Sequence, residues 1–342
     1  MRRRLLLLGG FATAAGAAPT VGPALDRPAV AARAPERAVL LAGARAGTRL
    51  VLVGERGLVL ASDDHGRSWQ QQPCPTSVTL TAVRFADDRH GVAVGHGATV
   101  LTTSDSGRTW QRRLDGRQAA TLALEAARAS GDAAALKSAE RLQADGPDKP
   151  LLDVLLLDAQ RIWVVGAYGL ALASDDGGQR FASVSARLPN PKELHLYAAR
   201  AQGDTLLLAG EQGLILRSID GGQRFTRLDV PYKGSFFTAE LGAGGSITLA
   251  GLRGNAWRSN DGGLTWAQLP CPVPAAITAS LPLADGRVLW ASQAGLVLAE
   301  ADGALRPLPA PPQPPINALV QAASGQVLAL GVMGVLPLAL KA

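Results

Sequence analysis

The stretch Val94-Gly95-His96-Gly97-Ala98-Thr99-Val100-Leu101-Thr102-Thr103-Ser104-Asp105-Ser106-Gly107-Arg108-Thr109-Trp110 decides the fold, because it repeats a pattern already written 41 residues earlier. There it reads Val53-Gly54-Glu55-Arg56-Gly57-Leu58-Val59-Leu60-Ala61-Ser62-Asp63-Asp64-His65-Gly66-Arg67-Ser68-Trp69. Self-similarity at a fixed period means that each copy is one supersecondary unit in a repeat architecture. The frame returns at Gly166 with Ser174, Asp176, Gly178 and Phe181, and at Gly210 with Ser218, Asp220, Gly222 and Phe225. A fifth copy has Gly251, Ser259, Asp261, Gly263 and Trp266. A sixth keeps Gly295, Asp302 and Gly303 but loses the aromatic, and a seventh stops after Gly331, Gly334 and the run Val335 to Leu340. The copies step by 41, 71, 44, 41, 41 and 39 residues, so the second interval holds an insertion.

Each copy contains four short apolar runs separated by turn residues, the pattern of a four-stranded propeller blade. In the second copy these are Leu80 to Phe85, Gly91 to Val94, Thr99 to Thr103 and Trp110 to Leu114, called a (inner) to d (outer). Seven copies predict an all-β, seven-bladed β-propeller whose blades begin at about residue 39. The seventh copy lacks strand d, and the segment around Asp26 to Val30 is expected to supply it and close the ring. Within the insertion, Gln118 to Ala129 and Asp132 to Ala144 read as two helices, with Gly131 as breaker and Asp132 as N-cap. This hairpin over about 116–148 is expected to serve either as a packed lid or as a docking element.

Composition agrees with a large packed domain. The 342 residues are 47% apolar and 18% charged, which excludes disorder over most of the chain, and 39 Gly with 22 Pro imply many turns. No apolar run approaches the roughly 20 residues of a bilayer span. Two cysteines make no disulfide framework, and Cys74 and Cys271, in blades one and five, stand too far around the ring to pair. Residues 1–24 read as a signal peptide: Arg2, Arg3 and Arg4, an apolar stretch from Leu5 to about Ala18, and small residues before cut sites after Ala17 or Ala24. Without those three arginines 31 Lys+Arg face 28 Asp+Glu, too even a balance for a nucleic-acid partner. The expectation is therefore an exported, monomeric, single-domain propeller over 25–342, in a periplasm or a thylakoid lumen-like compartment.

The repeated S-x-D-x-G-x-x-[WF] at the c–d turn resembles the Asp box of sialidase-type (BNR) repeats. The fuller blade, V-G-x-x-G-x-[VLI]-L-x-[ST]-x-D-x-G-x-x-[WF], resembles the photosystem II stability/assembly factor family of propellers, over about residues 39–340. That resemblance implies a non-catalytic factor that holds a membrane-protein subunit during complex assembly. In photosynthetic relatives the subunit is a photosystem II reaction-centre protein, and a basic patch on the propeller takes part.

The residues themselves assign roles by position. Ser62, Asp64, Gly66 and Trp69 form the first box, and Asp105, Gly107 and Trp110 the second; Asp176 with Phe181, Asp220 with Phe225 and Asp261 with Trp266 follow. A carboxylate in such a turn accepts backbone N–H bonds, the Gly permits positive φ, and the aromatic packs between blades. Repetition around a ring argues for a structural role, since an active site needs one constellation. In an up-and-down blade the c–d turns lie at one end, while b–c turns and d-to-a crossings lie at the other. At that second end the frames agree and the side chains vary, which is where recognition is expected. Candidate partner-binding residues are Arg56, His96, Tyr168, Gln212 and Arg253 at b–c turns, with Arg84 and Arg200 on inner strands. No catalytic residue, metal or cofactor is assigned. The alternative is a sialidase-like glycoside hydrolase or a carbohydrate-binding propeller, for which Tyr168, Glu211, Arg56 and Arg253 share a face but lack a further arginine and a catalytic Asp.

Overall fold

The computed structural model describes residues 22–311 and 313–340. The leader expected over 1–24 therefore lies outside the described residues, except for its last three positions. The described chain forms seven antiparallel sheets in sequence order, six of four strands and a seventh of three. The inner strands are Leu40–Ala46, Leu80–Phe85, Leu151–Leu156, Leu196–Gln202, Phe236–Leu241, Ile277–Pro282 and Ile316–Gln321. Each touches the next, and the seventh touches the first, so they ring the propeller axis. The second strands are buried throughout or nearly so, as expected of strands sandwiched between blades, and Val51, Leu52, Val53 and Leu208 expose nothing.

The ring closes differently from the sequence expectation. Blade seven remains three-stranded, and Asp26 to Val30 do not pair with it. They lie along the outer side of blade one instead: Ala29 N–H donates to the Cys74 carbonyl at 3.0 Å, and Gln71 Nε2 donates to the Val30 carbonyl at 3.0 Å. Asp26 is held by Arg112 and Arg117, from blade two and the helix that follows it. Closure rests on side chains, with Leu40, Leu50, Leu52 and Leu60 of blade one packed against Val320, Leu328 and Leu330 of blade seven. Burying several large aliphatics, at about 1.5–3 kcal/mol each, holds two blades together without a shared strand.

The insertion folds as α1 (Gly116–Ser130) and α2 (Ala133–Asp145). Asp115 caps α1 in a full capping box with Gln118, and Asp132 caps α2. The feet of the hairpin are tied to the blade-two b–c turn, where Gly116 N–H donates to Gly97 O and Ala98 N–H to Lys149 O, both at 2.7 Å. Leu122 and Leu142 pack onto the core shared by blades two and three, and α1 runs beside the outer strand Ala182–Ser183 of blade three. Ser138 and Arg141 of α2 both bond Glu193 in the next crossing. The hairpin thus flanks blade three.

Five c–d turns carry complete boxes of one geometry. In the first, Asp64 Oδ1 accepts from the N–H groups of Arg67 and Ser68 at 3.0 and 2.9 Å, while Ser62 Oγ accepts from Gly66 N–H at 2.8 Å. The box glycines Gly66, Gly107, Gly178, Gly222 and Gly263 all have φ between 77° and 92°. Each aromatic reaches back to the preceding blade, Trp110 into the cluster of Val51 and Phe225 against Trp163 at 5.6 Å. The eroded sixth box is a different object: Asp302-Gly303, both left-handed, forms a two-residue hairpin between Ala301 and Ala304.

Candidate functional site

The b–c turns of blades one, three, four and five share one backbone. The Leu58 N–H donates to Glu55 O at 3.1 Å, Leu170 to Ala167 at 3.1 Å, Leu214 to Glu211 at 2.9 Å and Asn255 to Leu252 at 3.2 Å. Both central residues are left-handed, the mark of a type I′ turn. The second is always glycine, and at Gly57 the reason is contact: a Cβ would lie 2.0 Å from the Thr76 carbonyl of the neighbouring crossing. The first is Arg56, Tyr168, Gln212 or Arg253, with φ of 56°, 57°, 53° and 56°. Large side chains in this region cost about 1 kcal/mol or more, where Asn or Gly would cost less. All four are exposed, so the turn thrusts them from the end of the disc.

A second repeated device stands inside that ring of tips. Every inner strand carries a β-bulge at its second residue, which skips pairing: Leu41, Thr81, Leu152, Tyr197, Phe237, Thr278 and Asn317. Bulges re-aim a side chain and disturb the ladder locally. The three small polar members turn to the next blade, where Thr81 and Thr278 donate to Leu151 O and Ile316 O, each at 2.7 Å, and Asn317 to Leu40 O at 2.9 Å. Leu41, Leu152, Tyr197 and Phe237 remain half-buried.

Two of these join a track of rings. Tyr168 lies 5.0 Å from His195, His195 stacks on Tyr197 at 6.1 Å and 13°, and Tyr197 meets Phe237 edge-on at 5.2 Å. The track runs from the blade-three tip, across the crossing to blade four, to the inner strands of blades four and five. Lys149 Nζ sits 5.3 Å above the Tyr168 ring. Its hydrogen bond to Asp148 raises its pKa. Glu211 accepts from the His195 backbone N–H at 3.2 Å, and its carboxylate lies 3.8 Å from the imidazole. Burial, followed by the Glu211 charge, holds the Tyr197 hydroxyl above its usual pKa.

Deeper along the inner strands lies an ionic chain. Asp153 receives Arg84 at 3.3 Å and Arg200 at 2.7 Å, and Arg200 reaches Glu240 at 3.5 Å. Burial pushes the Asp153 carboxyl up, but the Arg84 and Arg200 guanidiniums and the N–H groups of Ala199 and Val154 bring it net below the ordinary value. Arg84 and Arg200, named from the sequence as candidate partner-binding residues, are both ion-paired with Asp153, because acids from neighbouring inner strands reach them.

Of the other candidates, Tyr168 heads the track, Arg56, Gln212 and Arg253 stand on separate turn tips, and His96 is exposed at the turn beside the hairpin's feet. His195, Tyr197, Phe237 and Lys149 were absent from the sequence-based set. Lining the copies up by inner strand, rather than by b–c turn, exposes Tyr197 and Phe237 as aromatics at one register position. Among the described residues no three His, Cys, Asp or Glu side chains gather as a metal site, and no helix is long and apolar enough to cross a membrane. Cys74 and Cys271 are free thiols, Cys74 buried with its pKa pushed up to about 11 by burial.

Comparison with known proteins adds the lineage. No curated protein sequence matches the chain. Among solved structures, one described as YCF48 bound to D1 peptide superposes with a TM-score of 0.65 at 14% identity, covering 92% of this chain and all of that one. YCF48 from Cyanidioschyzon merolae gives 0.63 at 16% identity, covering 88% and 95%. The WD40 propeller domain of Doa1 gives 0.61 at 11%, covering 92% and 95%, so at these identities the likeness shows the fold alone. The sequence family described as photosynthesis system II assembly factor YCF48 matches residues 60–137 and 132–270, more than half of the chain. With its seven blades and five Asp boxes, this chain belongs to that family.

Proposed function

We propose that the protein is an exported, non-catalytic scaffold that holds an extended segment of a membrane-complex subunit against its b–c end, as an assembly or stability factor. The observation that carries this reading is the track Tyr168–His195–Tyr197–Phe237, three ring-to-ring steps of 5.0, 6.1 and 5.2 Å leading from a turn tip towards the axis. An extended peptide rises about 3.3 Å per residue, so roughly five residues would lie along it. Aromatic faces on a rigid frame bind apolar side chains without ordering much backbone. YCF48 is known with a bound D1 peptide, and family membership makes a peptide of a membrane-complex subunit the natural occupant here.

Non-catalysis is supported by where the carboxylates are spent. The five box aspartates are engaged in their own turns, and Asp153 serves the ionic chain. Export to the periplasm, or to a lumen in a photosynthetic host, is supported by the leader composition. The test is crosslinking and pull-down from the native envelope with wild type, Tyr168→Ala and Phe237→Ala. Loss of one dominant membrane-complex subunit with the track variants, of order tenfold or more, is expected. Equal recovery by all three refutes the track, and hydrolysis of a sialoside or glucan by the wild type would favour the glycosidase reading instead.

A further inference from the structure

A cleft between blades two and three opens at the Asp-box end, away from the track, and encloses about 230 Å³. Buried Val92 and Ile162 give it apolar surface, while hydroxyl, amide and charged groups supply the rest of its lining. That volume lies below the roughly 300–1,000 Å³ of sites for drug-sized ligands, so a guest would be of monosaccharide size.

Arg113 is aimed into this cleft by a break in the sheet. The outer strand Gln111–Leu114 pairs Leu114 with Val100 and Arg112 with Leu101, so Arg113 is skipped. The outer ladders of the other blades show no such slip. A bulge re-aims a side chain, and here Arg113 Nε donates to Thr102 Oγ1 of the third strand at 2.9 Å. The junction of blades five and six holds a counterpart. There Arg258 Nε donates to Thr248 Oγ1 at 3.2 Å, and its two Nη groups fork onto both carboxylate oxygens of Glu300. Counting along the ladders, blade three has Ser174 at the position of Glu300, and that hydroxyl belongs to the Asp176 box. Among the described residues no carboxylate comes within 4.0 Å of Arg113, so its fork meets the cleft without an internal acid.

The remaining groups suit hydroxyls. His90 Nδ1 lies 2.8 Å from Asp87 Oδ2, and a carboxylate only accepts, so in the neutral ring Nδ1 donates and Nε2 is an acceptor. Gln160 and Gln179 are exposed on the blade-three wall and carry amides that both donate and accept. Asp158 is engaged by Arg161 at 2.7 Å, and Asp176 accepts from two N–H groups of its own turn at 2.9 Å. Neither acid neutralises Arg113, and both repel a second negative charge on a guest.

We propose that this cleft binds a small polyhydroxylated carboxylate of the hexuronate class, its carboxylate forked on the Arg113 Nη groups and its hydroxyls on His90, Gln160 and Gln179. The planar guanidinium matches a carboxylate in two parallel bonds, and Arg258 with Glu300 makes that match within this chain. The two acids favour a guest with one negative charge over a phosphate ester or a polyanion. The site lies at the end opposite the aromatic track, so it gives the propeller a ligand without drawing on the proposed peptide surface.

The test is an NMR titration of the purified full chain, read at backbone amides and at arginine Nε–H groups, with glucuronate, glucose and acetate. Glucuronate is expected to shift the Arg113 and Thr102 signals saturably. Glucose lacks the carboxylate and acetate lacks the hydroxyls, so each should bind roughly tenfold or more weaker. Arg113→Gln should weaken glucuronate binding by roughly ten- to a hundredfold. Arg113→Lys keeps the charge but not the fork, and should recover only part of that loss. Gln160→Ala/Gln179→Ala removes two exposed side chains, should leave the melting temperature unchanged, and should weaken glucuronate roughly five- to tenfold. Absence of a saturable shift with glucuronate overturns the proposal. So does acetate binding as tightly as glucuronate, which would mark a contact open to any anion, or an Arg113→Gln variant of unchanged affinity. Should Arg113→Gln fail to fold, the glutamine double variant decides, and wild-type affinity in it removes the cleft as a site.

Discussion

The side-chain amide of Asn317 donates to the Leu40 carbonyl at 2.9 Å, joining the last inner strand to the first across 277 positions of sequence. Asn317 is the bulged residue of blade seven, so the device that places Tyr197 and Phe237 on the track also ties the ring at its seam. Behind it the seam is apolar, with Leu330 fully buried against Leu52 and Leu50. Asn317→Ala should cost about 1 kcal/mol and lower the melting temperature by a few degrees. Leu330→Ala should cost about 2–5 kcal/mol. Both are read by thermal unfolding and by protease sensitivity at the seam. If removal of residues 22–33 opened the ring more than Leu330→Ala does, closure would depend on the N-terminal segment after all.

Asp153 is the shared acid of two arginines, and that makes its loss severe. Asp153→Asn leaves Arg84 without its acid and Arg200 with Glu240 alone, and breaking a buried pair costs about 3–5 kcal/mol. The sign with pH follows from the lowered carboxyl pKa. Its stabilisation is present above the unfolded value near 3.9 and is lost as pH falls through the folded value. Wild type should therefore weaken steeply below about pH 4 in thermal melts, and Asp153→Asn should show a shallower acid limb. An unchanged acid profile in the variant would remove Asp153 from the account.

The architecture was legible because each box encloses its own logic within eight residues: Ser62 Oγ, Asp64 and the Gly66 N–H find one another locally, whatever the rest of the chain does. Blade count followed from the period. What stayed hidden depends on partners in other copies. Arg84 looks free until Asp153 is placed one blade on, and Tyr197 looks like a strand residue until its pairing with the second strand slips. The seam was misread for a similar reason. A missing strand suggests a replacement strand, whereas Leu40, Leu50 and Leu52 find their partners in Leu328 and Leu330 without one.

If residues 1–24 act as the proposed export leader, two small-residue cut sites are open to the peptidase, and the fold discriminates between them. The Ala24 carbonyl accepts Ser77 N–H at 2.9 Å and Thr76 Oγ1 at 3.0 Å, and Leu25 is buried against the next turn. Cleavage after Ala24 would remove that acceptor and place a charged amine beside buried Leu25. We expect the mature protein to begin upstream of Ala24, with cleavage after Ala17, as read by intact mass of the released protein. A mature chain starting at Leu25 would overturn this.

The Asp boxes supply the last prediction, because they separate stability from recognition. Asp105 accepts from Arg108 N–H at 3.0 Å, Thr109 N–H at 2.9 Å, Thr109 Oγ1 at 2.6 Å and Thr103 Oγ1 at 2.7 Å. Burial raises its pKa, and these donors, led by the Thr109 hydroxyl, bring it net below the usual value. Water replaces part of what a substitution removes at so exposed a turn, so Asp105→Ala should cost about 1–2 kcal/mol and a few degrees of melting temperature. The turn also carries Trp110 back onto blade one, so local loosening should show as faster hydrogen exchange at that blade junction. Because the box lies at the end opposite the track, partner recovery at a permissive temperature should match wild type. A variant of unchanged stability that loses the partner would instead place a binding function in the box itself.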